Sequence, residues 1–235
     1  MVERDDVLAA LDAALGRFVA LLRDVPPAAA PTPVPQCPGW TVGDTAAHVL
    51  TVVRRALTDR RRSATPADTA ALNATCLAET AERHLPALAA LIERDGKTAV
   101  HGGLARLPLD LQFPFHAGAI TTVVPAACIL LCDVLVHGHD IAEALGREWP
   151  IPQDEAAVAL RGGAELLAAW RRADAPRDAV EIVLPDGDPV VIGTGPVAYR
   201  VTGLDAGAVL LAFPYRRIAA ADPGLLALQA AHHCV

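Results

Sequence analysis

The sequence predicts a mainly α-helical protein, in which a four-helix bundle is followed by a small α+β domain. Apolar residues recur at helical spacing over several long stretches, and the Ala- and Leu-rich composition favours helix. After Trp149-Pro150 the pattern changes to short β-type runs separated by turn residues. The chain has 235 residues and is 53% hydrophobic, which is enough for a sizeable core. We therefore predict two domains, residues 1–150 and residues 151–235.

The first two helices of the predicted bundle are separated by a proline-rich connector. Helix one covers residues 6–22, where apolar side chains repeat three and four positions apart. Six prolines between residues 25 and 38 make that stretch an extended connector. Thr41 is an N-cap candidate for helix two, and Asp44 stands three residues further on, as in an acidic capping box. Apolar positions continue this helix towards Leu57.

The predicted third and fourth helices are longer than the first two. Residues 66–92 predict an Ala-rich third helix, bent near Pro86, and residues 95–116 predict a loop rich in Gly and Pro. The fourth helix is expected from about Ala119 to Leu145, with Gly146 as its stop signal. Four helices with one long crossover connection form a bundle.

The C-terminal 85 residues predict an α+β module. Its expected elements are a helix over 154–172, strands over 180–184, 190–192 and 197–201, and short helices over 204–213 and 223–231.

Composition and charge exclude several classes of protein. A net charge of −7 argues against nucleic-acid binding, and the basic run Arg60–Arg62 is interpreted as a solvated helix end. The longest apolar stretch, Ala117–Cys132, is interrupted by Gly118 and Pro125 and falls short of a membrane span. The first residues contain no signal-peptide core, and the five cysteines include no CxxC pair. We expect a cytoplasmic protein with reduced thiols and no membrane partner.

One group of residues indicates chemistry. Asp133 and His137 are four residues apart on a helix and therefore point the same way, as two ligands of one metal ion must. His48, on a facing helix, is a candidate third ligand. Taken alone, such residues are also typical of a satisfied buried histidine and of a helix-surface hydrogen bond. Asp133 lies in an apolar helix, where an unpaired carboxylate is costly. Asp140 is interpreted either as an acceptor that orients a ligand histidine or as a surface acid.

Other polar residues receive structural interpretations. Cys128 and Cys132 are four residues apart and are expected to be small core residues. His101 and His116 lie in the Gly- and Pro-rich loop and are interpreted as surface histidines, although loops often line sites. Trp40 is expected to pack under the start of helix two.

Two segments carry a resemblance to a known family. The first is Trp40-Thr-Val-Gly-Asp-Thr-Ala-Ala-His48. The second begins about 85 residues later with Asp133-Val-Leu-Val-His137 and ends in Asp140-Ile-Ala-Glu-Ala-Leu-Gly146. Together they resemble the mycothiol-dependent maleylpyruvate isomerase family of DinB-like bundles. The C-terminal part is similar to that family's second domain, a sterol-carrier-protein-like module.

This resemblance implies a divalent metal ion, zinc above all, and mycothiol as the thiol cosubstrate. His48, Asp133 and His137 fall on the family's three ligand positions, with Asp in place of the more common Glu. His139 stands where the family often has an aromatic residue. The expected Gly-Arg at the end of a C-terminal helix reads Arg216-Arg217 here. The remaining candidate site residues are His139 and Arg217 as catalytic groups and Arg54 and Arg216 as cofactor-binding groups.

The predicted function is that of a metal- and mycothiol-dependent isomerase or S-transferase. Its substrate would be a small, electrophilic and anionic metabolite, because Arg54, Arg55 and Arg217 indicate an anionic group. Two alternatives remain open: a non-catalytic protein that binds a small molecule, and a biosynthetic metalloenzyme that activates water. The Arg- and Ala-rich composition suggests an actinobacterial origin, and both a monomer and a homodimer fit the sequence.

Overall fold

A computed structural model describes residues 2–172, 174–212 and 222–232. The helices are α1 (Arg4–Asp24), α2 (Val42–Arg55), α3 (Pro66–Glu79), α4 (Leu85–Lys97), α5 (Val123–Ala144), α6 (Gln153–Ala169), α7 (Ala206–Ala212) and α8 (Pro223–Ala231). The strands are β1 (Phe113–Pro114), β2 (Ile120–Thr121), β3 (Ala179–Val183), β4 (Pro189–Ile192) and β5 (Val197–Val201).

Helices α1, α2, α4 and α5 form the bundle. Helix α1 packs against α4 and α5, and α2 closes the ring against the same two helices. The interior is mainly apolar, and Phe18, Leu50, Leu88 and Leu135 are completely buried in it. Each such side chain contributes about 1.5–3 kcal/mol relative to leaving it in water. The predicted fold class, a four-helix bundle followed by an α+β region, is confirmed.

The predicted third helix is wrong in its extent. Residues 66–92 form two helices instead of one bent helix, with a break at residues 80–84 between α3 and α4. Arg83 causes the break: its guanidinium donates to the carbonyl oxygens of Leu77 and Thr80 at the end of α3. Its Nε also bonds Asp44 Oδ1 at 2.7 Å. Helix α3 lies outside the bundle, against α2.

Hydrogen bonds of a capping box fix the start of α2. Thr41 Oγ1 accepts from the backbone N–H of Asp44, and Asp44 Oδ2 accepts from the backbone N–H of Thr41, which completes the predicted capping box. The preceding connector folds back on this helix start through a backbone bond from Val34 N to Trp40 O and an isolated bridge between Pro33 and Thr41. The connector thereby brings its last residues to the end of the bundle.

The segment between α4 and α5 is more ordered than the predicted loop. Helix α4 continues into a π-helical turn over Thr98–Gly103 and a 3₁₀ turn over Leu104–Arg106. Strands β1 and β2 then pair antiparallel. Because residues 120–121 belong to β2, helix α5 begins at Val123 and not at Ala119 as predicted.

Helix α5 is the central helix of the molecule. It is the one helix in the described part of the chain that is long and apolar enough to cross a membrane by length and composition, and most of it is buried inside the protein. Gly138 and Gly162 let large groups approach closely. A Cβ on Gly138 would overlap the Trp149 ring, and a Cβ on Gly162 of α6 would overlap Cys128 of α5.

The C-terminal region follows the predicted element order. Strand β3 lies between β4, with which it is antiparallel, and β5, with which it is parallel. Helix α6 packs on α5 and α1 on one side and on β4 and α7 on the other. The observed helices and strands match the predicted ones to within three residues in the described ranges. Arg216 and Arg217 lie outside the described residues.

Candidate active site

Three side chains predicted as metal ligands converge inside the bundle. Helix α2 supplies His48, and α5 supplies Asp133 and His137, which face it from successive turns. One potential ligand atom from each lies within 4.8 Å of the others. The two imidazole rings are perpendicular, with their centroids 5.0 Å apart. These distances are short enough for a small inward adjustment to bring all three donors to one ion.

The environment of His48 suits a neutral imidazole ligand. Its side chain is 5% exposed, and burial, with the nearby His137 and Arg55, holds its pKa well below the ordinary value of 6.5. The buried Nδ1 has no hydrogen-bond partner among the described residues. An unpaired buried nitrogen costs free energy. Coordination of a cation by this ring would therefore use a group that the protein leaves unsatisfied and unprotonated.

His137 is oriented by a buried carboxylate. Its Nδ1 lies 3.1 Å from Asp140 Oδ2, and Asp140 is completely buried. With Nδ1–H donating to this carboxylate, Nε2 is the unprotonated nitrogen, whose lone pair can coordinate a metal ion. Such a carboxylate–histidine pair is the usual support of a metal-bound imidazole. Of the two interpretations of Asp140, the surface acid is wrong.

Two residues of the connector cover the cluster. The Trp40 ring centroid lies 4.8 Å from that of His48 and 6.3 Å from that of His137. Cys37 Sγ lies 3.5 Å from Asp140 Oδ2 and 3.9 Å from His137 Nδ1. Trp40 therefore does pack at the start of α2, as predicted, but it also forms one wall of the site.

The cluster opens into a cavity of about 540 Å³. His48 and Asp133 belong to its lining, and so do parts of α2, α5, the segment between α4 and α5, and the end of α6. Trp170, just after α6, stacks on Phe115 with ring centroids 6.3 Å apart. Its Nε1–H donates to the backbone oxygen of His116 at 3.3 Å. The C-terminal region thus contributes a wall of the same cavity.

Arg55 is the principal cation of the cavity. Its side chain is buried, with 6% of the residue exposed, and its partners are all neutral. It donates to Asn73 Oδ1 at 2.8 Å, to Thr51 Oγ1 at 3.2 Å and to His116 Nε2 at 3.1 Å. Burial lowers the pKa of this guanidinium, which nevertheless stays protonated at any physiological pH.

His116 accepts from Arg55 and must therefore be neutral. Burial and the adjacent cation lower the pKa of His116 to about 3. Its Nδ1 lies 3.5 Å from Ser63 Oγ, which also accepts from the backbone N–H of Ala117. The prediction of a surface histidine is wrong for His116. It is confirmed for His101, whose exposed ring lies 3.4 Å from Asp12 Oδ1.

The sequence contains a signal for Arg55 that the prediction did not use. Arg55 follows His48 by seven residues, and two helical turns bring the two side chains to the same face of α2. Arg54 points elsewhere and bonds Asp95 Oδ2 of α4 at 3.0 Å, so the predicted cofactor-binding role of Arg54 has no support in its position. His116 comes from an irregular segment, for which no periodicity exists.

The other predicted residues fall outside the cluster or have structural roles. His139 is half-buried on α5 and does not line the cavity, so its catalytic role stays a prediction. Cys128 and Cys132 are buried as predicted, and burial raises the pKa of both thiols, that of Cys128 to about 12. Arg60 and Arg62 are not merely solvated, since both line the cavity.

The fold and the cluster together define a four-helix-bundle protein with a candidate metal centre between two helices. The chain belongs to the mycothiol maleylpyruvate isomerase family: the sequence profile described as "Mycothiol maleylpyruvate isomerase N-terminal domain" matches residues 11–142. Two crystal structures, of a mycothiol-dependent maleylpyruvate isomerase and of its histidine-to-alanine mutant, have the same fold. Each is 14% identical, with a TM-score of 0.56 over 89% of this chain and 88% of the other. A comparison with curated proteins finds no match.

Proposed function

We propose that the chain is a mycothiol-dependent isomerase or S-transferase that holds one divalent metal ion on His48, Asp133 and His137. The observation that carries this proposal is the convergence of two imidazoles and one carboxylate at the wall of a deep cavity, in a chain of this family. Three protein ligands leave a coordination position open for a substrate.

The donor set fits zinc. Imidazole nitrogens and a carboxylate oxygen are common zinc ligands, and a thiolate added to them favours zinc further. A divalent cation in this position would make a coordinated thiol a thiolate at neutral pH. The side chain of aspartate is shorter than that of glutamate by one methylene, but a carboxylate oxygen of Asp133 still lies within 4.8 Å of a ring nitrogen of His48 and of His137.

Residues around the proposed metal site orient one ligand, cover the two imidazole rings and exclude water. Asp140 holds His137 in the tautomer whose Nε2 faces the cluster, and Trp40 covers both rings. The apolar side chains of Leu130 and Ile129 line the cavity beside Asp133 and exclude water from that wall. Exclusion of water preserves the nucleophilicity of a thiolate and prevents hydrolysis of an electrophilic substrate.

Metal content tests the proposal. Protein purified without a histidine tag should contain about one equivalent of zinc by emission spectroscopy. We expect His48→Ala and His137→Ala to lose the metal while keeping the helical circular-dichroism spectrum, whereas the exposed His101→Ala variant keeps it. Full occupancy in either cluster variant would show that the ligand set is wrong.

A cobalt-substituted sample separates thiol chemistry from water activation. Adding mycothiol should change the visible spectrum of cobalt, because a sulfur ligand introduces intense charge-transfer absorption. An unchanged spectrum would contradict the mycothiol proposal and favour the water-activating alternative. A protein that neither retains zinc nor gains stability on adding it would favour the non-catalytic alternative instead.

A further inference from the structure

Arg55 is a buried cation that forms no direct ion pair with a carboxylate among the described residues. No carboxylate in the described residues lies within ion-pair distance of its guanidinium. By contrast, Arg17 is paired with Glu155 through two hydrogen bonds. Removing a charge from water is expensive unless an opposite charge accompanies it. The three neutral acceptors around Arg55 orient the guanidinium, and the acidic groups of Asp133 and Asp59 act on it only from beyond ion-pair distance.

The guanidinium also retains hydrogen-bonding capacity. Arginine has five N–H groups, and three of them are used by His116, Thr51 and Asn73. The buried Nε has no partner among the described residues. Arg60 and Arg62 add positive charge to the cavity lining, where Asp133 is the acidic residue. The guanidinium of Arg55 is therefore a pre-oriented anchor for an anionic group.

The rest of the cavity is suited to an apolar body. Apolar side chains from the segment between α4 and α5 and from α5 form much of the wall, namely Leu104, Leu107, Phe113, Phe115, Ile129 and Leu130. A volume of about 540 Å³ lies within the range of pockets that enclose drug-sized ligands. A small dicarboxylate would leave most of this apolar surface against water.

We propose that the substrate is an amphiphilic monocarboxylate, with its carboxylate on Arg55 and its apolar body against the wall formed by the 104–115 segment and α5. This inference rests on the proposed function and names the substrate class of that site. Arg55 then acts in specificity, because it places the rest of the molecule beside His48 and Asp133. His116 is a positioning residue, since its neutral Nε2 fixes the guanidinium.

The experiment is a calorimetric titration of the zinc-loaded protein with octanoate, 1-octanol and maleate. We expect octanoate to bind at least tenfold more tightly than either 1-octanol, which lacks the charge, or maleate, which lacks the apolar body. Arg55→Gln should weaken octanoate at least tenfold and leave 1-octanol unchanged. The control Arg61→Gln removes an exposed arginine paired with Asp59 and Glu79 and should change neither. Equal affinities for octanoate and 1-octanol would overturn the inference.

A second variant covers the case in which Arg55→Gln does not fold. Asn73→Asp keeps the shape of the side chain and places a carboxylate where Oδ1 already accepts from Arg55 at 2.8 Å. This internal counter-ion should compete with octanoate and weaken it at least tenfold without unfolding the protein. Unchanged octanoate affinity in a folded Asn73→Asp variant would contradict the assignment of Arg55 as the anchor.

The two proposals fail in different ways. Octanoate binding that depends on Arg55, combined with a cobalt spectrum indifferent to mycothiol, supports the inference and contradicts the thiol chemistry. A cobalt spectrum that responds to mycothiol, combined with no selective octanoate binding, contradicts the inference alone. Octanoate binding that survives Arg55→Gln but disappears in the metal-free His48→Ala variant would place the carboxylate on the metal and overturn the inference.

Discussion

At the scale of single residues, the cavity depends on histidines that remain neutral. In the folded protein burial lowers the pKa of His48 well below 6.5 and that of His116 to about 3. The unfolded chain titrates near the ordinary value of ~6.5. Below that pH the unfolded chain binds protons that the folded protein excludes, so each histidine makes stability fall as pH decreases.

We predict that stability decreases from about pH 6.5 downwards, with a contribution from His116 that continues to a pH of about 3. Urea midpoints of the metal-free protein measured at several pH values give the slope. His116→Gln keeps an acceptor for Arg55, and its unfolding between pH 6 and pH 5 should take up about one proton fewer per molecule than unfolding of the wild type. His101→Gln, at an exposed position, should show the same dependence of the urea midpoint on pH as the wild type. An identical slope in all three proteins would contradict the neutral state of His116.

The Asp140 carboxylate leads to a second residue-scale prediction. Asp140→Asn removes the charge that fixes His137 while keeping the shape, so zinc affinity should fall by about 10–100-fold. Competition with a chromophoric chelator measures this change. Glu143→Gln, an exposed acid one turn later on the surface of α5, is the matched control and should keep wild-type affinity. Equal affinities in both variants would show that Asp140 is only structural.

Much of the candidate site can be predicted from residue spacing, and the rest cannot. The interval of four between Asp133 and His137 fixes their common face, because a helix has a known period. His116 reaches the cavity from a segment whose φ/ψ angles follow no period, including a positive φ of 57° at Ala117. Its position depends on contacts with Ser63 and Trp170, which are more than fifty residues away in sequence.

At the scale of helices, glycines mark where neighbours touch. Gly138→Ala should destabilise the protein by about 1–3 kcal/mol, because a Cβ there would overlap the Trp149 ring. Gly16→Ala in α1 is the matched control, since a Cβ there would meet nothing within 4 Å beyond its chain neighbours and the backbone of its own helix. That substitution should stabilise α1 by about 0.5–1 kcal/mol. Urea unfolding compares the two, and effects of the same sign would contradict this packing.

Helix boundaries are predictable where the signal is local. The capping box of Thr41 and Asp44 lies within four residues and places the start of α2 correctly. The break between α3 and α4 depends on Arg83, which reaches back to α3 carbonyls and across to Asp44. Sequence shows only Pro86, in the first turn of α4, where proline is typical of a helix start.

At the scale of the whole molecule, the bundle and the C-terminal region share a core. Helix α6 packs on α1 and α5, and Glu155 Oε1 accepts from Arg17 at 2.8 Å. We therefore predict one cooperative unfolding transition. Single-tryptophan variants that retain either Trp40 or Trp170 should give the same urea midpoint by fluorescence. Loss of the Trp170 signal at lower urea would instead support independent domains divided near residue 150.

The position of Cys37 has a practical consequence. Among the described cysteines, Cys76, Cys128 and Cys132 are buried, whereas Cys37 is partly accessible. A thiol-reactive fluorophore should label Cys37 before those three. Since its sulfur lies 3.9 Å from His137 Nδ1, the attached dye would sit at the entrance to the candidate centre. The native sequence thus carries its own attachment point for an optical reporter, through which arrival of an ion or of a ligand can be followed in real time.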